Sequence, residues 1–347
     1  MTKDRFIGTL VGCATGDALG MPVEGWKREQ IQKYVGKIIE PLAPVMVRDA
    51  QGQMVKADEF GKLRYFTKDF ARGEYTDDTI LTLALAESIA SRQGLDLEDV
   101  AKRQLQAYEI RRKPDGRVHG GFGRTTMQGF ENLRKSISPL HSGVVGSPGN
   151  APAMKMAPVG LYMHATGEYA EGLGFAAQVA RVTHLDPRSV VSGVVQAHAV
   201  YVLLQNIARQ DFLNSLVEVG MLHEKPVTAD CTLADAGSLT ERLVWIQEHP
   251  DRSPDHAFRQ LGNSGCVFES YPFALFLFQR YWNDPIEGLL ETVNFGGDCD
   301  TTGAIYGALC GARCGTVFPQ TWIRALKGLD KLVAVAEELY KLTSVKT

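Results

Sequence analysis

Along most of the chain, apolar residues recur at intervals of three and four, the spacing that lays them on one face of an α-helix. In residues 77–92, Ile80, Leu83, Ala84 and Ile89 form such a stripe, and Thr76 stands before it as an N-cap. The same period predicts helices over 97–112, 123–136, 168–182, 188–209, 211–220, 238–247, 271–282, 285–293, 301–314 and 320–342. Pro187, Pro272, Pro285 and Pro319 each fall near the start of one of these, where a missing N–H costs little. Two stretches break the period. Residues 34–75 mix Gly, Pro, charged and β-prone residues, and read as a long loop or lid excursion with one short hairpin around 45–66. Residues 138–160 carry Gly143, Gly146, Pro148, Gly149, Pro152 and Pro158 and read as loop. No interdomain linker is visible, so residues 1–347 read as one all-α domain.

A second period lies over the first. Gly8, Gly12, Gly16 and Gly20 recur every four residues, as do Gly303, Gly307, Gly311 and Gly315. On a helix this spacing makes a stripe, and each interior Gly costs roughly 1 kcal/mol relative to Ala. Close approach of another helix backbone is the compensation expected. The first helix and the 301–314 helix are therefore expected to be buried and tightly packed, and are candidates for each other's partner. Gly20 and Gly315 read instead as turn residues.

Composition narrows the class. The chain has 347 residues, 44% hydrophobic and 22% charged, with a net charge of -3. That is ordinary globular usage, and without a strongly basic run nucleic acid is not an expected partner. No run approaches eighteen apolar residues, so no membrane span is expected, and the N-terminus leaves little room for a signal peptide. The six cysteines include no C-x-x-C pair; zinc is not expected, and a reducing, cytoplasmic setting is.

The chemistry concentrates in acidic turns. Thr76-Asp77-Asp78-Thr79 opens one apolar helix, and Gly296-Gly297-Asp298-Cys299-Asp300-Thr301-Thr302 opens the glycine-striped one. Either pair alone reads as helix capping, since carboxylates gain from a helix N-terminus. Together, four carboxylates with several hydroxyls feeding two buried helices are costly unless cations neutralise them. Oxygen donors with no His or thiolate at matching spacing point to Mg²⁺, Mn²⁺ or Ca²⁺, and two carboxylate pairs suit a binuclear site. Glu24 adds a further acid after a helix end marked by Gly20 and Pro22; Asp17 lies on that helix as a capping or supporting acid.

Three segments, Gly12–Glu24, Tyr75–Thr79 and Phe295–Thr301, resemble in order the motifs of the ADP-ribosylglycohydrolase family. The resemblance spans nearly the whole chain. It implies an all-α orthogonal helical bundle and two Mg²⁺ or Mn²⁺ ions held by Thr76, Asp77, Asp78, Asp298, Asp300 and Thr301, with Glu24 beside the metals and the scissile bond. It implies hydrolysis of a glycosidic bond of ADP-ribose, in an ADP-ribosylated protein or a small ADP-ribose derivative. Asp78, Glu24 and Asp300 are then the catalytic candidates, with Asp78 or Glu24 as base. Gly121–Thr126 resembles a substrate-facing turn, carrying Gly121 and Gly123. Gly149–Gly160 resembles a phosphate-cradling loop, with Gly149, Asn150 and Lys155 as ligand contacts. Ala151 stands there where the family often has Gly, and Lys155 where it often has Arg. Thr183-His184 matches a family Thr-His pair, and Phe268 or Tyr271 stands where the family has an aromatic near the adenine or distal ribose. Two other readings remain open at this point: a two-metal nucleotide phosphohydrolase, and an ADP-ribose-binding protein without catalysis.

Overall fold

A computed structural model of the chain describes residues 2–41, 46–48, 51, 54–56 and 70–346. The described helices are α1 (Thr2–Gly20), α2 (Arg28–Tyr34), α3 (Asp77–Arg92), α4 (Leu97–Glu109), α5 (Arg124–Arg134) and α6 (Ala151–Lys155). Next come α7 (Ala157–Thr166), α8 (Tyr169–Arg181), α9 (Pro187–Leu204), α10 (Arg209–His223), α11 (Leu239–Glu248) and α12 (Pro254–Leu261). The chain ends on α13 (Val267–Arg280), α14 (Pro285–Asn294), α15 (Cys299–Cys314), α16 (Gln320–Ala325) and α17 (Leu329–Lys341). Among the described residues the fold is all-α apart from one antiparallel hairpin, β1 (Met46–Arg48) and β2 (Met54–Lys56), which pairs Val47 with Val55. That hairpin falls inside the expected 45–66 interval. Most of the rest of the 42–69 stretch lies outside the described residues.

α1 and α15 form the centre. From Gly8 to Gly20 every residue of α1 is buried, and the glycine stripes of the two helices face each other. A Cβ on Gly12 would run into the Gly307 carbonyl, one on Gly16 into the Gly303 carbonyl, and one on Gly311 into the Gly8 carbonyl. Gly20 belongs to the same seam, against the Cys299 carbonyl, and so is more than a turn residue. Gly315 has φ +80° and does end its helix. This contact brings the C-terminal end of α1 beside the N-terminal end of α15.

By mean hydropathy rather than by consecutive apolar residues, the segment 2–23 is long and apolar enough to cross a bilayer: it contains an 18-residue window of mean hydropathy 1.3, and 94% of that window is buried inside the fold. Its apolarity serves the α1–α15 seam.

Other differences have local causes. The helix expected over 188–209 stops at Leu204, just before Asn206 takes φ +62°, and the one expected over 211–220 begins at Arg209. The 320–342 stretch breaks at Gly328, φ +69°. α13 starts earlier than expected, so Pro272 lies inside it. The stretch read as loop, 138–160, holds α6 and the start of α7, with Pro152 and Pro158 in their first turns. α2 and α12 are too short for a periodic signal.

Candidate active site

The N-termini of α3 and α15 converge in the lining of a cavity of about 450 Å³. Beneath them lies Asp17, fully buried on α1. Its carboxylate accepts from the Thr76 and Thr79 backbone N–H groups (2.9 and 3.1 Å) and from both their hydroxyls (3.0 and 2.6 Å). Asp17 thereby fixes the first turn of α3 to the central seam. Burial pushes its pKa up to about 6, against the pull of these hydrogen bonds.

The acids above it are equally enclosed. Asp78 is 2% exposed; its Oδ2 lies 3.0 Å from Thr76 Oγ1 and 3.4 Å from Thr301 Oγ1, joining the two helix starts. Its Oδ1 is buried with no hydrogen-bond partner among the described residues. Asp77 donates its backbone N–H to the Gly120 carbonyl, 2.6 Å away, which seats the Gly121 turn against it. Asp300 accepts from the Thr301 N–H at 2.9 Å. Burial first, and neighbouring carboxylates second, raise Asp77, Asp78 and Asp300 well above the usual carboxylate range.

Asp298 occupies the N-cap position of α15, yet its side chain does not cap the helix. It receives the Asn150 amide instead, at 2.5 Å. Capping therefore does not account for this acid. The turn around it is stitched to the Glu24 turn: Gly25 N–H donates to the Gly297 carbonyl (2.7 Å) and Gly297 N–H to the Trp26 carbonyl (2.8 Å). Gly296 and Gly297 take φ +75° and +70°; a Cβ on the first would strike the Trp26 carbonyl of the Glu24 turn, and one on the second the Asn263 carbonyl. The result is a cluster in which one oxygen each of Glu24, Asp298 and Asp300 lies within 4.8 Å of the others.

The remaining walls are glycine turns, hydroxyls and amides. Gly121, Gly123, Gly149, Asn150 and His184 line the cavity with the acids and Thr301. Thr125 on the α5 side shares a 2.6 Å hydrogen bond with Ser147 on the opposite loop. Ser189 Oγ donates to the Gly149 carbonyl at 2.7 Å and fixes that loop.

Four sequence-predicted residues lie outside this lining. Thr76 is just behind it, its hydroxyl turned between Asp17 and Asp78. Lys155 does not reach the cavity as a phosphate contact: the single turn of α6 carries it into the interior, where it is fully buried against Gln104 and Thr183. Phe268 and Tyr271 are core residues of α13. Phe268 packs under the Arg188 guanidinium, 4.9 Å from the ring centroid, and Tyr271 is fully buried. The α13 side reaches the cavity through Cys266, the residue before the helix.

Arg124, Ser147, Thr232 and Leu233 also line the cavity. Arg124 was visible in the Gly-rich segment but not singled out. Leu233, with φ +55° and half its surface exposed, carries no sequence signal. Its carbonyl and that of Thr232 are held by Arg188, itself paired with Asp186 in the interior at 2.8 Å.

The family model "ADP-ribosylglycohydrolase" matches residues 1–347. The chain belongs to the ADP-ribosylglycohydrolase family. It is 30% identical over 342 residues to an uncharacterized protein of Archaeoglobus fulgidus, covering 98% of this chain and 97% of that one. It is 27% identical to the ADP-ribosylhydrolase ARH3 of Mus musculus, covering 97% and 91% of the two chains. Among solved structures it is similar to an "ADP-ribosylglycohydrolase-related protein complex", with a TM-score of 0.67 at 26% identity over 99% of both chains. Family membership and the ARH3 relatives support ADP-ribose hydrolysis as the class of chemistry.

Proposed function

We propose that this chain is a metal-dependent hydrolase that cleaves the glycosidic bond between ADP-ribose and an acceptor. The acceptor is a protein side chain, such as arginine or serine, or the remainder of a small ADP-ribose derivative. The observation that carries this reading is the convergence of Glu24, Asp77, Asp78, Asp298 and Asp300 in the lining of a cavity that also carries glycines and hydroxyls.

The residues fit two divalent cations of the Mg²⁺ or Mn²⁺ type. The donors are all hard oxygens, and the buried, unpartnered Asp78 Oδ1 is an acceptor that lacks only a positive partner. Thr76, Asp77, Asp78, Asp298, Asp300 and Thr301 would hold the ions, with Glu24 beside them. Bound cations supply Lewis acidity and offset the mutual repulsion of the carboxylates.

The protein's own groups do the rest. The acid cluster receives the ribose bearing the scissile bond. Asp78 or Glu24 takes a proton from the water that adds to the ribose anomeric carbon. The bond to the acceptor breaks through an oxocarbenium-like state, and its electron pair leaves with the acceptor, which is released protonated. The Ser147–Asn150 wall holds the diphosphate and fixes the pose, which lowers the barrier by positioning.

A panel of ADP-ribosylated substrates with different linkages, each assayed with Mg²⁺ and with Mn²⁺, tests the proposal. Free ADP-ribose is the expected product. AMP, with a phosphoribosyl group left on the acceptor, would identify a phosphohydrolase, and binding without turnover across the panel would identify a non-catalytic binder.

A further inference from the structure

Lys155 is fully buried, and so are the polar groups around it. A one-way chain of hydrogen bonds runs through it. Gln104 is oriented by its own amide: Nε2 donates to the Leu81 carbonyl of α3 at 3.5 Å, which leaves Oε1 as an acceptor. Lys155 Nζ donates to that Oε1 at 3.1 Å and to Thr183 Oγ1 at 3.4 Å. Thr183 Oγ1 has used one lone pair as acceptor and must place its own proton. Among the described residues the acceptor it reaches is His184 Nδ1, at 2.9 Å. An imidazole nitrogen that accepts a hydrogen bond carries no proton, so in neutral His184 the proton sits on Nε2. That edge faces the cavity: a Cβ on Gly149 would collide with Nε2, and His184 and Gly149 both line the cavity wall.

We propose that Lys155 is a positioning residue which, through Thr183, fixes His184 as the Nε2–H tautomer and presents a hydrogen-bond donor to a phosphate oxygen of the ligand. The alternative tautomer would turn a lone pair toward a group that carries only acceptors. Burial, then the charge of Lys155, lowers the His184 pKa to about 3, so the ring stays neutral and its donor depends on the tautomer. Lys155 thus acts on the ligand from behind the wall, without touching it. The ligand's identity as ADP-ribose rests on the function proposed above; the tautomer does not.

Nitrogen-15 NMR of histidine-labelled full-length protein, with His184 assigned through His184→Gln, reads the tautomer directly. The expected wild-type result is a protonated Nε2 and a bare Nδ1. Lys155→Met and Thr183→Val, each shown by thermal melting to be folded, are expected to populate the Nδ1–H form; Lys155→Arg, which keeps a donor, restores the wild-type pattern. Calorimetric titration with ADP-ribose should show affinity weakened roughly tenfold in Lys155→Met and recovered in Lys155→Arg. A protonated Nδ1 in the wild type overturns the proposal without need of any variant, as does an unchanged His184 signal in folded Lys155→Met. Absence of ADP-ribose binding to wild type, with the expected tautomer present, would instead strike at the proposed ligand.

Discussion

Gly12 and Gly307 meet backbone to backbone: a Cβ on either would run into the carbonyl oxygen of the other. The contact lies midway along the seam that brings the end of α1, and with it Glu24, to the start of α15, where Asp298 and Asp300 stand. Stability and site geometry therefore depend on the same pair of helices.

Gly307→Leu should destabilise the fold by roughly 1–3 kcal/mol or more, because the added atoms meet backbone that cannot rotate away. Gly174→Ala is the matching control. Gly174 lies in α8, and nothing sits within 4 Å of where its Cβ would be. That substitution should stabilise by about 0.5–1 kcal/mol through helix propensity and chain entropy. Chemical denaturation of both variants checks the pair; equal midpoints would show that the seam tolerates a side chain.

Asp300→Asn and Asp77→Asn should each remove most activity with helical content unchanged. Each keeps the side-chain size and one acceptor oxygen while losing a charge from the cluster. Circular dichroism separates loss of fold from loss of function. Wild-type turnover by both variants on a confirmed substrate would exclude these carboxylates from the metal set.

How much of this could be read along the chain follows from what each feature depends on. Asp77, Asp78, Asp298 and Asp300 were legible because their chemistry is contiguous: paired acids, flanking glycines or hydroxyls, and a helix start. The glycine seam was legible because its period of four is longer than any turn requires. Lys155, Phe268 and Tyr271 were placed at the ligand by resemblance, and the direction of a helical side chain is set by how the helix packs. α6 turns Lys155 inward, and α13 buries Phe268 under Arg188. The partnership of Asp17 with the first turn of α3 joins residues 59 and 62 positions apart, which no local pattern encodes. Leu233 lies in the lining with its carbonyl held by Arg188, 45 positions away in the chain.

Free ADP-ribose should inhibit competitively, and AMP or ribose 5-phosphate far more weakly. The acids and the Ser147–Asn150 loop both belong to the lining and meet where Asn150 bonds Asp298; in the proposed pose the ribose takes the acids and the diphosphate the loop, so each half of the ligand makes only part of the contacts. It still bears most of the rigid-body entropy cost of binding, and affinity should fall by more than the contact area lost. Inhibition constants measured against the same substrate decide this. Equal potency of AMP and ADP-ribose would favour a plain nucleotide site.

Divalent metal should stabilise the protein, and the gain should grow as pH rises from about 5 to 8. Binding to the native state alone raises stability by mass action. The pH dependence follows from the buried acids. Asp17 has its pKa raised to about 6, and Asp77, Asp78 and Asp300 are raised well above the usual range, burial being the first cause in each. A carboxyl whose folded pKa lies above its unfolded one favours the metal-free fold at low pH, and that contribution is lost as pH rises through the folded value. Cations that bind the ionised acids displace those protons, so their advantage is least where the acids are protonated and greatest where they must be charged. Lys155 and His184 are shifted the other way, down to about 7 and about 3 by burial, and favour the fold as pH rises. They stand in both the metal-free and the metal-bound protein, so the metal-induced difference largely cancels them while either melting curve alone does not. Melting temperatures in EDTA and in millimolar Mg²⁺ or Mn²⁺, taken across this range, give the difference at each pH. A gain that shrinks with rising pH, or no gain at pH 8, would rule out an acid cluster that exchanges protons for metal.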